Sequence, residues 1–253
     1  MILDQFRVDG RTALVTGASA GLGAAVAIAL AEAGANVVCH GNSRSAELTC
    51  EHVKKLGRRA ATVQADLSRP GSAEKLFAKA EQFAPIDILV NNAGTIRRAK
   101  AVEYSDEDWN AVLQVNLNSV WKLCQAAGRA LLSRGSPGKI INNASLLAFQ
   151  GGIKVPAYAA AKGAVAQLTK ALANEWAPHQ VNVNAIAPGY MRTDNTYALQ
   201  RDEIRNRQIL ERIPAGRWGD PGDLCGAAVF LSSPASDYIH GHVLVVDGGW
   251  MGR

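Results

Sequence analysis

Along this chain, short runs that are apolar throughout alternate with longer stretches in which apolar residues recur every three or four positions. The short runs fall at 12–16, 36–39, 61–64, 86–91, 139–143, 180–186 and 242–246, and their length and composition predict β-strands. The longer stretches, at 22–33, 73–82, 109–133 and 158–176, are rich in Ala, Leu, Glu and Lys and predict helices. Strands that do not alternate apolar with polar residues belong in a parallel sheet covered on both faces. Joined to helices through right-handed crossovers, they build a doubly wound, Rossmann-like α/β sheet with helices on both sides. No internal repeat, low-complexity tract or Pro/Ser-rich linker interrupts the pattern, so residues 1–253 are expected to form a single domain.

Composition narrows the class. An apolar content of 48% with 19% charged residues is that of an ordinary globular protein, not a disordered one. No apolar run approaches the length of a bilayer crossing, and the first ten residues carry Asp4, Arg7 and Asp9 where a secretory signal needs an apolar core. Cys39, Cys50, Cys124 and Cys225 are scattered without a Cys-x-x-Cys pair, which predicts reduced thiols, a cytoplasmic setting and no metal site. The net charge of +5 is spread over distant pairs such as Lys54-Lys55, Arg58-Arg59 and Arg97-Arg98. Without interleaved aromatic residues these do not predict a nucleic-acid partner, although an anionic small substrate stays open.

The first candidate chemistry sits where the first strand runs into Thr16-Gly17-Ala18-Ser19-Ala20-Gly21-Leu22-Gly23 and then into a helix. Glycines at such a junction allow a tight reversal and let backbone N–H groups approach a pyrophosphate, whose charge the helix dipole favours. The second strand ends Cys39-His40-Gly41-Asn42-Ser43-Arg44, and no acidic residue occurs between Glu32 and Glu47. NAD sites place a carboxylate about 20 residues after the glycines. Gly41 holds the position where that acid is missing, while Ser43 and Arg44 suit a 2′-phosphate. NADP is therefore expected to be accepted, with NAD as the alternative.

Reducing a ketone requires a proton donor within hydrogen-bond reach of the carbonyl oxygen. Tyr158 and Lys162 are four apart on one predicted helix face, so their Cβ atoms stand about 5–6 Å apart. A free tyrosine is phenolate in only about one molecule in a thousand at pH 7, and a nearby ammonium lowers the cost of forming that anion. Ser145 closes a strand thirteen residues before Tyr158.

These motifs occur in a fixed order: Thr16 to Gly23, Asn91-Asn92-Ala93-Gly94, Ser145, Tyr158-x-x-x-Lys162 and Pro188-Gly189. In that order the chain resembles the short-chain dehydrogenase/reductase family over essentially its whole length. The resemblance implies that Tyr158 is the acid/base, that Lys162 is both its electrostatic partner and a ligand of the nicotinamide ribose, and that Ser145 polarises the substrate. It implies a water-linked proton relay through Asn116, for which Asn118 is the adjacent competitor. Cofactor contacts are implied for Gly17, Ser19, Gly21, Leu22, Gly23, Asp66, Leu67, Asn92, Ala93, Gly94, Pro188, Gly189 and Thr193. A homotetramer is implied as well, for which the apolar tail 242–250 is a plausible inter-subunit segment.

Further stretches, among them 91–98, 149–153, 187–191, 213–219 and 246–250, are similar to a subgroup named 2-deoxy-D-gluconate 3-dehydrogenase or 2-dehydro-3-deoxy-D-gluconate 5-dehydrogenase. Such enzymes interconvert hydroxyl and keto groups on deoxy sugar acids. NAD is the cofactor usually attributed to that subgroup, against the missing carboxylate here. Arg97 or Arg98 would hold the substrate carboxylate, Gln150 and Tyr190 its hydroxyls, and the polar stretch 190–212 would form a mobile lid. The rivals are a ketoacyl or polyol reductase of the same family and, in another class, a non-enzymatic dinucleotide-binding regulator. An intact Ser/Tyr/Lys set speaks against the last.

Overall fold

The computed structural model describes residues 1–253. Seven strands form one parallel sheet: β1 (Thr12–Val15), β2 (Asn36–Gly41), β3 (Ala60–Gln64), β4 (Ile88–Asn91), β5 (Gly138–Asn143), β6 (Val181–Pro188) and β7 (Val243–Val246). Their order is β3-β2-β1-β4-β5-β6-β7, so the chain winds outward from β1 in one direction and from β4 in the other. The reversal between β1 and β4 leaves a crevice beyond the carboxyl ends of the strands, where open α/β sheets bind ligands.

Helices α1 (Gly21–Glu32), α2 (Glu47–Lys55), α3 (Ser72–Phe83), α4 (Asp106–Leu113), α5 (Ser119–Arg134), α6 (Pro156–Trp176), α7 (Tyr197–Arg201), α8 (Glu203–Arg212) and α9 (Cys225–Ser232) connect and cover the strands. Alternate residues of β1 feed two cores. Ala13 and Val15 pack with Val26 and Leu30 of α1 and Leu231 of α9 on one face. Leu14 packs with Leu76 of α3, Leu123 of α5 and Val165 of α6 on the other. This two-sided burial is why the strands read as unbroken apolar runs. A third, smaller core of Leu146, Ile209, Ile213, Trp218 and Trp250 anchors the far end of the 190–219 segment.

Two predicted elements take a different form. The stretch 109–133 is helical throughout, as predicted, but a π-helical turn over Gln114–Asn118 divides it into α4 and α5. The apolar period runs on through the turn, which conceals it. β4 begins at Ile88, two residues later than predicted, because Asp87 accepts the Thr12 N–H on its carboxylate at 2.9 Å and the Ile86 N–H goes to Glu81 at 2.7 Å. No helix is long and apolar enough to cross a membrane.

Candidate active site

A cleft of about 370 Å³ opens at the carboxyl ends of the central strands, bounded by the glycine turn, the 92–94 turn, the end of β5, the start of α6 and the 188–196 segment. Gly17 and Gly21 adopt left-handed conformations, with φ of 65° and 55°. A Cβ on Gly17 would stand 3.0 Å from the Ala93 Cα, so two turns meet where only a glycine fits. Helix α1 starts without a side-chain cap and without an acid in its first turn, whereas Ser105 caps α4 and Asp202 caps α8. Its leading amides therefore face the cleft free of any side-chain acceptor, which suits a pyrophosphate. The Gly17 N–H is not among the free donors. It donates to His40 Nδ1 at 3.1 Å, and His40 Nε2 lies 3.0 Å from the Ala65 carbonyl.

Tyr158, Lys162 and Ser145 all line this cleft. Tyr158 and Lys162 project from the first two turns of α6, and the Lys162 Nζ lies 5.5 Å from the centre of the tyrosine ring. The ammonium is buried and donates to the Asn143 carbonyl at 2.5 Å. Burial holds its pKa down at about 8. The Tyr158 phenol is pushed up by burial, while the Ser145 hydroxyl and the Arg98 charge pull it down. Ser145 also caps the short turn that follows, its Oγ accepting the Leu147 N–H at 3.2 Å.

A chain of hydrogen bonds joins the glycine turn to this lysine. Asn92 Nδ2 donates to the carbonyls of Thr16 and Gly17, and Asn143 Nδ2 donates to Asn92 Oδ1 at 3.2 Å. The Asn143 Oδ1 is buried without a partner beside the cleft. Neither His40 nor Asn143 stands out in the sequence. The one signal was polarity at positions of otherwise apolar strands, and each side chain finds its partners only once separate strands are brought together.

Of the other predicted residues, Ser19, Gly21, Leu22, Arg44, Ala93, Gly94, Pro188, Gly189 and Thr193 line the cleft. Gly23 lies behind it: a Cβ there would meet the Gly17 carbonyl and the Asn92 amide, so its absence lets α1 sit tight against the turn. Leu67 is a core residue, and Asp66 accepts from Ser68 Oγ at 2.6 Å and pairs with Arg69 at 3.3 Å. Ser43 is exposed on the turn after β2. A side chain at Gly41 would collide with the Arg44 carbonyl and approach the Ala46 N–H at 3.1 Å, so the turn folds back over the position where an acid was missed.

Asn116 is fully buried in the π-helical turn and exchanges two bonds with Thr95: Oδ1 accepts its N–H at 2.9 Å, and Nδ2 donates to its carbonyl at 2.7 Å. Asn118 instead bonds Gln114 at the surface. The two arginines after the 91–94 turn part company. Arg97 pairs with Asp108 at 3.4 Å, outside the cleft. Arg98 reaches the Asn195 carbonyl at 3.3 Å and acts on Tyr158. Gln150 and Tyr190 do not line the cleft. The Gln150 Oε1 accepts from Trp250 Nε1 at 3.2 Å and from Arg212 Nη2 at 3.3 Å, and Tyr190 packs between Trp218 and Trp250 at 5.5 and 4.7 Å.

Residues 17–251 match the family described as enoyl-(acyl carrier protein) reductase. Over its full length the chain is 51% identical to the whole of a 2-dehydro-3-deoxy-D-gluconate 5-dehydrogenase from Dickeya dadantii. It is 53% identical to the Bacillus subtilis protein of the same name, over 99% of this chain and 98% of that one. A solved structure of a candidate 2-deoxy-D-gluconate 3-dehydrogenase from Agrobacterium tumefaciens, with NADP bound, superposes with a TM-score of 0.94 at 55% identity, over 98% of this chain and 99% of that one.

Proposed function

The chain belongs to the short-chain dehydrogenase/reductase family, and from that premise we propose that it interconverts a secondary alcohol and a ketone on a deoxy sugar acid, of the 2-dehydro-3-deoxy-D-gluconate type, with NADP accepted as cofactor. The observation that carries the reading is the convergence of Ser145, Tyr158 and Lys162 on one cleft whose floor is an uncapped helix N-terminus. When bound, the nicotinamide cofactor supplies or takes the hydride. The protein's own residues handle the proton and the orientation. Tyr158 passes its phenolic proton to the substrate oxygen, which Ser145 holds in place by a hydrogen bond. Lys162, fixed by the Asn143 carbonyl, offsets the negative charge left on the phenol. Asn116 supports the π-helical turn next to this pair, where the backbone departs from α-helical bonding.

Arg98 is the residue we assign to the substrate carboxylate. Its charge acts on the Tyr158 phenol and its side chain is held by the carbonyl of Asn195, a residue of the cleft wall, whereas Arg97 is tied to Asp108. A guanidinium holds a carboxylate through two parallel bonds, which would orient the sugar chain towards Tyr158. Gln150 and Tyr190 then act through the lid base, not by direct contact, and the 190–212 segment moves over the substrate. Ser19, Gly21, Leu22, Arg44, Asn92 and Thr193 hold the dinucleotide. The assembly proposed is a homotetramer of a cytoplasmic enzyme. Turnover of a panel of keto-deoxy sugar acids and neutral ketoses, with NADH and NADPH separately, tests the reading. Keto-deoxy sugar acids should be preferred, and a preference for neutral ketoses would overturn the substrate assignment.

A further inference from the structure

Arg44 lines the cleft from the turn after β2, and Asp194 lines it from the opposite side, at the start of the lid. The Arg44 Nη1 stands 3.3 Å from the Asp194 Oδ2, and this is the guanidinium's sole ion pair. Positions 41–46 contain no acid, Glu47 is engaged by Thr62 and Lys54, and Asp66 is turned to Ser68 and Arg69. One carboxylate thus meets Arg44, and it comes from a segment distant in sequence. Asp194 engages one edge of the guanidinium, so a second anion brought to Arg44 would stand close to the carboxylate and be repelled by it. A cofactor bearing a 2′-phosphate must therefore take Arg44 from Asp194 or share it, at the cost of bringing two anions together. A cofactor with a bare 2′-hydroxyl leaves the pair intact.

We propose that Asp194 sets cofactor preference from the lid: it competes with the 2′-phosphate for Arg44, so that the phosphorylated cofactor opens a clasp the unphosphorylated one leaves closed. This rests on the reading of Arg44 as the phosphate-binding group. The acid absent from the end of β2 is, in effect, supplied across the cleft by a residue that moves with the lid.

Calorimetric titration of the full chain with 2′,5′-ADP and with 5′-AMP, free of any turnover, isolates the contact. Asp194→Asn should tighten 2′,5′-ADP by about two- to fivefold, the scale of an exposed ion pair, and leave 5′-AMP unchanged. In an Arg44→Gln background the same substitution should have no effect. Trypsin should cut the 190–212 segment faster with saturating 2′,5′-ADP than with 5′-AMP. An unchanged ratio in Asp194→Asn, or an equal gain with and without Arg44, overturns the clasp. Should Arg44→Gln weaken both ligands equally, the reading of Arg44 itself fails and the clasp falls with it. Both residues are exposed, so neither substitution threatens the fold.

Discussion

Tyr158 and Lys162 are placed by one helix but sit in opposing electrostatic situations. Burial works against the charged form of each, raising the phenol and lowering the ammonium to about 8. If the phenol is the sole proton donor, Tyr158→Phe should cut turnover by about 10²–10⁴-fold, with dinucleotide affinity measured by fluorescence titration largely unchanged. Near-normal turnover of the purified variant would remove the assignment. The lysine makes a second prediction, about stability. Its pKa falls from 10.5 to about 8 on folding, a difference worth about 3 kcal/mol against the folded state wherever both forms are protonated. Between pH 8 and 10.5 the unfolded chain alone keeps the proton, so stability gains with rising pH across that window. Lys162→Met should therefore lose activity yet unfold no more easily than the native protein at pH 7, despite the lost bond to Asn143. Its advantage should shrink as pH climbs from 8 to 10.5. Denaturant curves whose difference stays flat across that range would contradict the argument. The sequence carried the Tyr/Lys spacing but not this cost, which depends on burial that neighbouring strands create.

At the scale of elements, the inner strands were legible because they are buried on both faces, and the glycine turn because its φ angles demand glycine. What escaped was polar register. The side chain of His40 lies in the crevice between β2, β3 and the glycine turn, accepting the Gly17 N–H and bonded to the Ala65 carbonyl. Only the neutral ring, with its proton on Nε2, satisfies both neighbours, and burial lowers its pKa. No charged side chain pairs with it, and Asp66, next to Ala65, is engaged by Ser68 and Arg69. Below about pH 6.5 the unfolded chain binds a proton that the folded one resists, so stability falls as pH drops. His40→Gln should flatten the acid limb of a Tm-against-pH profile between pH 6.5 and 5, and likewise the acid loss of dinucleotide affinity. An unaltered limb would show that other groups cause it. The same register explains how a π-helical turn hides within the expected helix over 109–133. A single extra residue in the turn at Gln114–Asn118 leaves the apolar period intact while turning Asn116 inward and Asn118 out. Gly41 carries a similar lesson: the acid missing from that position would have no room, because the turn that presents Arg44 folds over it.

The whole molecule has two sheet edges of different character. At β3 the residues are half-buried or exposed and end in Thr62, Val63 and Gln64, whereas β7 is Val-Leu-Val-Val, all half-buried. An apolar edge strand left uncovered is a hazard that a protein meets by pairing or covering it. On another face α4 and α5 present Trp109, Trp121 and Leu132, each more than a third exposed, and Tyr238 is fully exposed near the start of β7. Trp250, by contrast, is buried within its own chain against Tyr190 and under Arg212, so the tail contributes through β7 and not through its tryptophan. Large apolar side chains on two faces are what a closed assembly with more than one kind of interface requires. The native protein should therefore sediment as a tetramer at micromolar concentration. Trp121→Glu lies on a protomer surface where a substitution shifts stability by only about 0.5 kcal/mol. It should thus lower the mass of the assembly while leaving the far-ultraviolet spectrum of each protomer unchanged. A stable monomer in the native protein, or a tetramer unaffected by the substitution at dilute concentration, would place the interface elsewhere or nowhere.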